Sequence, residues 1–239
     1  MEPAFLDIYE TFSSAGDEYQ IFERITSCAK KLGFEYCCYG IRTPIPVSNP
    51  SIAIFETYPE GWMKHYQESN YLGIDPTVKT GARHSRLMVW SELIAAETRP
   101  FWADAHDFGL RVGVAQSNWS ANGVFGLLTM SRHADTLSRT EINRLPQPIN
   151  WLANLSHVTM SNFLLPKLIP ESQVQLTARE REVLCWSGEG KTAYEVGKIL
   201  GISERTVNFH IGNLLSKLEA TNKIQAAVKA SAMGLIQLG

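Results

Sequence analysis

Between Thr177 and Gly234 the sequence punctuates four short helices by side-chain chemistry alone, and no other feature restricts the fold so tightly. Thr177 with Glu180, and Thr192 with Glu195, form Thr-x-x-Glu capping boxes, in which the hydroxyl and the carboxylate reciprocally satisfy free backbone N–H groups at a helix start. Gly190 closes the first of these helices, and Gly201-Ile202-Ser203 makes the turn after the second. Ser203 caps a third helix running to about Leu218, and Asn222 caps a fourth that ends before Gly234. Helix, short Gly-containing turn, helix is the helix-turn-helix arrangement.

The third helix of this set has an unusual outer face. Val207, Ile211, Leu214, Leu215 and Leu218 share one side at about 100° per residue, which leaves Arg205, Phe209, Gly212, Asn213 and Ser216 pointing outward, with Asn208 at the margin. Such residues suit a DNA groove better than bulk water. Asn and Arg make paired hydrogen bonds to purine edges, an exposed Phe meets a thymine methyl, and Gly lets a helix approach the groove floor. Ser203 and Thr206 begin the helix, and Lys191, Thr192, Asn222 and Lys223 flank the helix ends, where cations and backbone N–H groups favour phosphate. A structural bundle with a loosely specified surface remains the alternative on spacing alone. His210, at the edge of the seam, fits packing or a phosphate contact equally well. From Gln173 onward there are 8 Lys and Arg against 6 Asp and Glu, whereas the preceding residues carry 14 against 18. So weak a positive excess means that any nucleic-acid affinity comes from a few placed cations and is sensitive to salt.

Upstream, the stretch 166–175, with two prolines and no helical period, reads as a linker between a domain of residues 1–165 and one of residues 176–239. Helical patterns at about 17–32, 60–69, 97–108 and 138–164 are interspersed with strand-like runs at 34–42, 51–57, 111–119 and 124–131. The alternation predicts an α+β fold, an α-β-α sandwich with a mostly antiparallel sheet, followed by the small all-α domain. Asn122-Gly123 joins the last two strands as a hairpin, since that dipeptide tolerates the positive φ of a tight turn. Pro146 and Pro148 predict a helix break, with a second helix starting near Pro148 and ending near Phe163. That last helix, with Trp151, Leu152, Leu155, Met160 and Phe163, is the candidate homodimer element, with packing on its own sheet as the equal alternative.

Several functions are disfavoured. The six histidines are scattered singly, no Gly-x-Ser-x-Gly elbow occurs, and Cys28, Cys37, Cys38 and Cys185 lack metal-site spacing, so neither an enzyme nor a metal protein is expected. No apolar run reaches membrane-spanning length and the acidic start lacks a signal sequence, which makes the expected location cytoplasmic, with no membrane partner. A phosphorylated response regulator would need a parallel α/β receiver, which an antiparallel hairpin and an aromatic cluster do not suggest.

The segment 176–230 resembles the DNA-binding domain of the LuxR-type transcription regulators, with Glu180, Leu184 and Gly190 at positions that the family pattern carries. Residues 57–78, followed by Val89-Trp90 and the run 108–113, resemble the autoinducer-binding domain of the acyl-homoserine lactone receptors, most closely those of the CepR type. Trp62, Tyr66, Asp75, Pro76, Trp90 and Gly113 stand where that pattern expects them. The resemblance implies a quorum-sensing regulator that takes an N-acyl-homoserine lactone, uses no cofactor, and binds two-fold-symmetric promoter DNA as a homodimer, with RNA polymerase as a further partner. A regulator of the same family answering to another small molecule, or to none, is the alternative.

The chemistry of such a ligand assigns roles. Its lactone carbonyl needs a donor, for which the Trp62 indole N–H is suited, and its amide N–H needs an acceptor, which the Asp75 carboxylate supplies. Tyr58, and Thr129 by its match to the family's Ser or Thr position, can donate to the acyl carbonyl. Tyr66, Trp90, Phe101 and Trp102 would enclose the ring, while Tyr36, Cys38, Val114, Phe125 and Leu127 are candidates for the tail, with the strand parity open. Taken alone, Trp62 and Tyr66 at i and i+4 read as a core-facing helix stripe, and Asp75 before Pro76 as a turn residue or helix cap. Gln116 and Ser117 depart from the apolar residue and proline found in many relatives, which puts the strand geometry there in question.

Overall fold

The computed structural model describes residues 10–133 and 135–236, which divide into two compact units. The first comprises residues up to Arg42, Ile52–Trp119 and Phe125–Leu164; the second comprises Thr43–Ser51, Ser120–Val124 and the residues from Leu165 onward.

The first unit is a three-layer sandwich. Helix α1 (Glu18–Lys31) starts at Asp17, whose side chain accepts from the Gln20 N–H, and ends in Lys30 and Lys31, matching charge to the helix dipole at both ends. Its buried stripe, Ile21, Ile25 and Ala29, has helical spacing. Five strands follow, β1 (Tyr36–Arg42), β2 (Ile52–Glu56), β3 (Met88–Val89), β4 (Val112–Trp119) and β5 (Phe125–Arg132), in the order β2-β1-β5-β4-β3 with every neighbouring pair antiparallel. The β4–β5 hairpin expected at Asn122-Gly123 is present, with Gly123 at φ +80°. Of the three interior strands, β5 and β4 are buried almost end to end, as strands covered on both faces must be.

One face carries α1 and the long helix α6 (Pro146–Leu168), preceded by the short α5 (Arg139–Arg144). Phe22 of α1 packs on Phe55 of β2, and the Tyr39 hydroxyl lies 3.0 Å from His157 Nδ1 of α6. The break before α6 falls at Leu145, and Pro146 rather than Pro148 opens the helix. The helix also runs through Pro166 to Leu168 instead of ending near Phe163. A proline in the last turn removes one backbone donor, and the buried Leu164 and Ile169 carry the apolar pattern past it. The irregular stretch expected at 166–175 thus contains the end of a helix and a 3-10 turn at Pro170–Gln173.

Gly126 of β5 sits directly under the His157–Tyr39 pair: a Cβ there would lie 2.3 Å from His157 Nδ1 and 3.0 Å from the Tyr39 hydroxyl. Gly126→Ala is therefore expected to cost about 1–3 kcal/mol of stability by overpacking. Denaturant unfolding of the variant measures this, and an unchanged midpoint would contradict the packing.

The opposite face carries α2 (Trp62–Glu68), α3 (Pro76–Gly81) and α4 (Arg99–Asp107). Gln116 and Ser117 do not interrupt β4. Both are buried, Gln116 Nε2 donating to the Ser85 carbonyl at 2.7 Å and Ser117 Oγ to the His84 carbonyl at 2.9 Å, so the loop before β3 supplies the partners that polar residues in a covered strand require.

In the second unit, α7 (Ala178–Gly188), α8 (Ala193–Leu200), α9 (Glu204–Lys217) and α10 (Lys223–Ala232) start at Thr177, Thr192, Ser203 and Asn222, with both capping boxes formed. Gly190, Gly201 and Gly234 all have positive φ after their helices. Val183, Leu184, Val196, Val207, Leu214, Leu218, Ala226 and Ala230 form the core. Gly197 makes the turn between α8 and α9 tight, since a Cβ there would come within 2.8 Å of the Ile202 carbonyl. Glu180 is buried, yet it accepts from the Thr177 N–H and from Lys217 Nζ at 2.7 Å. Burial pushes its carboxyl up, but these donors hold it below the usual carboxylate range.

Candidate functional site

In the first unit, α2, α3, α4 and the sheet enclose a chamber of about 160 Å³. The register fixes its floor. Residues paired across β1, β5 and β4 on this face form four rows: Tyr36, Ser131 and Gly113; then Cys38, Thr129 and Ala115; then Gly40, Leu127 and Ser117; then Arg42, Phe125 and Trp119. Strand β2 extends the last two rows with Ile54 and Ile52.

Aromatic rings close the first end. The Trp90 indole packs against Gly113, where a Cβ would be 2.6 Å from two of its ring atoms. Trp102 is 5.2 Å from Trp90 and 4.9 Å from Phe101, centroid to centroid, and Trp62 sits 5.9 Å from Tyr66 and 6.0 Å from Phe101. These tilted and edge-on arrangements are those that aromatic quadrupoles favour. The i, i+4 pair Trp62 and Tyr66 is thus both the core stripe of α2 and part of the chamber wall.

Asp75 also combines its two readings. Its Oδ1 caps α3, accepting from the Thr77 N–H and hydroxyl, both at 2.7 Å, while Oδ2 accepts from the Tyr66 hydroxyl at 3.0 Å. The residue is 7% exposed and lines the chamber. Burial pushes its carboxyl above the ordinary range, opposed by the hydrogen bonds from Thr77, Tyr66 and Val78. Burial likewise raises the Tyr58 and Tyr66 phenols, and it pushes the Cys38 thiol up to about 12 with help from the nearby charges of Glu56 and Asp75, so all three stay protonated at neutral pH. Neither the Trp62 indole N–H nor the Thr129 hydroxyl has a protein hydrogen-bond partner among the described residues.

Eight expected ligand residues therefore line one space: Tyr58, Trp62, Tyr66, Asp75, Trp90, Phe101, Trp102 and Thr129. Pro76 and Gly113 stand behind it, Pro76 opening α3 so that Asp75 is its cap, and Gly113 making room for Trp90. Cys38, Phe125 and Leu127, expected beside an acyl tail, line the chamber. Val114 does not, because it pairs with Met130 on the opposite face, and Tyr36 packs on the aromatic cluster instead. Thr77, Gly40 and Arg42 also line the chamber and were not anticipated. A polar residue two after the capping Asp was a signal for Thr77, and a lone glycine inside a strand signals a close approach to something.

In the second unit, Arg205, Asn208, Phe209 and Gly212 lie exposed along α9, with Phe209 65% accessible, while Asn213 is half-buried. Nothing lies within 4 Å of where a Cβ on Gly212 would stand. Four of the expected DNA-facing residues already serve the fold. Thr192 and Asn222 cap helices, Ser203 caps α9 with its hydroxyl 2.8 Å from that of Thr206, and Lys223 Nζ donates to the Lys191 carbonyl at 2.8 Å. His210 is half-buried, its ring 5.8 Å from that of Phe209.

A small-molecule chamber on one unit and a helix-turn-helix on the other define a class, the two-part transcription regulator. Residues 17–160 match the family described as "Autoinducer binding domain", and residues 174–230 match "Bacterial regulatory proteins, luxR family". The chain belongs to the LuxR family of bacterial regulators. It is 61% identical to the transcriptional activator protein SolR of Ralstonia nicotianae, over 99% of this chain and all of SolR. The crystal structure of Escherichia coli SdiA matches with a TM-score of 0.83 at 32% identity, covering 98% of this chain and 99% of that one; SdiA in complex with octanoyl-rac-glycerol matches at 0.84 and 31%, covering 98% of each. The N-acylhomoserine lactone dependent factor CepR2 of Burkholderia cenocepacia matches with a TM-score of 0.62 at 31% identity, covering 67% of this chain and 94% of its own.

Proposed function

We propose that this chain is a cytoplasmic quorum-sensing activator whose residues 1–165 bind an N-acyl-homoserine lactone and whose residues 176–239 read a two-fold-symmetric promoter site as a homodimer that engages RNA polymerase. It works by binding rather than catalysis. The observation that carries the ligand reading is Asp75: a buried carboxylate with an acceptor oxygen in an aromatic chamber calls for a ligand with an N–H beside an apolar body. The unpartnered donors of Trp62 and Thr129 suit its two carbonyls, with Tyr58 beside the second. Activation is supported by the likeness to SolR, itself named an activator. Arg205, Asn208, Phe209, Gly212 and Asn213 would meet base edges, and Lys191, Thr192, Ser203, Thr206, Asn222 and Lys223 the backbone. Ligand and DNA are linked through population: a ligand held in the core stabilises the fold by roughly 2.7 kcal/mol at a hundredfold excess over its dissociation constant.

The SdiA complex with octanoyl-rac-glycerol favours a second reading, an acyl glycerol in the same chamber. Glycerol offers hydroxyls where the lactone offers an amide N–H, and either can donate to the Asp75 carboxylate, which already accepts from the Tyr66 and Thr77 hydroxyls. Mass spectrometry of small molecules carried through purification from cells supplied with both decides between them; recovery of acyl glycerol alone overturns the lactone assignment.

A proton linkage follows from Asp75. The ligand N–H needs the carboxylate, whose pKa lies above the ordinary value of about 3.9. Affinity should hold at neutral pH and fall as pH drops through that raised pKa, with ligand binding releasing protons in this window. Calorimetry in buffers of different ionisation enthalpy measures the release; proton uptake would contradict the role.

A further inference from the structure

The sheet register gives the chamber a direction. The polar anchors gather over the second row, where Asp75 is close enough to act electrostatically on Cys38, and the aromatic rings close the first row, so an acyl tail anchored there has open floor only over the third and fourth. In the third row, Gly40 is flanked by Ile54 and Leu127, and a Cβ on Gly40 would meet nothing within 4 Å. In the fourth, the Arg42 guanidinium carbon lies 5.3 Å from the centre of the Phe125 ring and lines the chamber, with no ion-pair partner among the described residues. A half-buried cation stacked on an aromatic face at the end of an apolar groove is a stop. A methyl terminus pushed against it would strip water from a charge that has no ion-pair partner among the described residues to replace it.

We propose that Gly40 and Arg42 set the acyl-chain length that the chamber accepts, Gly40 by leaving the floor open under the middle of the tail and Arg42 by closing it one row further on. The proposal rests on the reading of this chamber as an acyl-ligand site. Thr129 and Phe125 are four residues apart, which at about 3.4 Å per residue puts roughly 13–14 Å between the second row and the fourth. Carbon–carbon bonds of about 1.5 Å advance roughly 1.25 Å each in an extended chain, so a tail of about eight carbons crosses the Gly40 row and ends short of Arg42, while one of about twelve reaches it.

The test is calorimetric affinity of the full-length protein for unsubstituted acyl-homoserine lactones of four to fourteen carbons, for wild type, Arg42→Ala and Gly40→Val. Each buried methylene is worth about fourfold in affinity until the channel is full. Wild type should peak at about eight to eleven carbons, the lengths that cross the Gly40 row and stop short of Arg42; Arg42→Ala should move the peak two to four carbons longer, and Gly40→Val, compatible with a strand, should move it shorter. Affinities that fall equally at every length, or peaks that stay in place, overturn the proposal, since a purely structural role would act in that way. The same acyl chains on glycerol separate the two readings. Opposite peak shifts in the glycerol series, with no lactone binding, overturn the lactone and keep the length rule; peaks that stay fixed in a series that does bind overturn the length rule alone. Binding of neither series overturns both.

Discussion

Asp75→Asn is expected to weaken acyl-homoserine lactone binding roughly 10- to 150-fold while the chain stays folded, the equivalent of about 1.5–3 kcal/mol for a charge-assisted hydrogen bond. The amide can keep its oxygen where Oδ1 now caps α3, accepting from the Thr77 N–H, so the helix start survives. Its nitrogen then replaces Oδ2, and a donor faces both the Tyr66 hydroxyl and the ligand N–H. Tyr66 can rotate to accept; the ligand cannot. Calorimetry on a variant with unchanged unfolding in the absence of ligand is the check, and undiminished affinity would remove Asp75 from the recognition of the amide. Asp75→Ala should do worse, because it also removes the cap, at about 0.5–2 kcal/mol of stability.

Asn208→Ala should abolish specific operator binding at physiological salt. A side chain that makes paired hydrogen bonds to a base is worth about 1–3 kcal/mol of discrimination, and a two-fold site loses it twice. Asn208 is exposed on α9 between the buried Val207 and the exposed Phe209, so truncation leaves the core of the second unit untouched. Residual binding should then resemble that to unrelated DNA, with a steep salt dependence, because the phosphate contacts remain. Retention of the wild-type preference for the operator over unrelated DNA would take Asn208 out of base recognition.

The second unit was legible almost residue by residue because its boundaries are local chemistry: a Thr and a Glu three apart, or a Gly after an apolar stripe, determine a helix end without reference to the rest of the chain. The chamber was legible in its aromatic and acidic members, which one stretch of sequence gathers, and less so in its floor. Which strand residues face it depends on register, and register is settled by pairing between strands far apart in sequence. Hence Val114, in a strand buried on both faces, gave no parity signal, and only the register shows that it pairs with Met130 on the face away from the chamber. Gly40 was visible as a glycine in a strand, but what it makes room for lies on other elements. Short elements were also missed: α3 has six residues and β3 two, fewer than any periodicity can reveal, although the Asp75-Pro76 cap announced the former. The end of α6 was placed too early because a proline was read as a stop, when in a final turn it costs little.

The proposed function divides the labour between a sensor in the first unit and a reader in the second. Its most direct test is thermal unfolding of full-length Asn208→Ala with and without N-octanoyl-homoserine lactone, alongside binding to a promoter fragment selected by the wild-type protein from random DNA. The variant is expected to lose the selected fragment but to keep the full ligand-induced rise in unfolding temperature seen in wild type. Loss of that rise together with DNA binding would contradict the division, because a change on the outer face of α9 would then have reached the chamber.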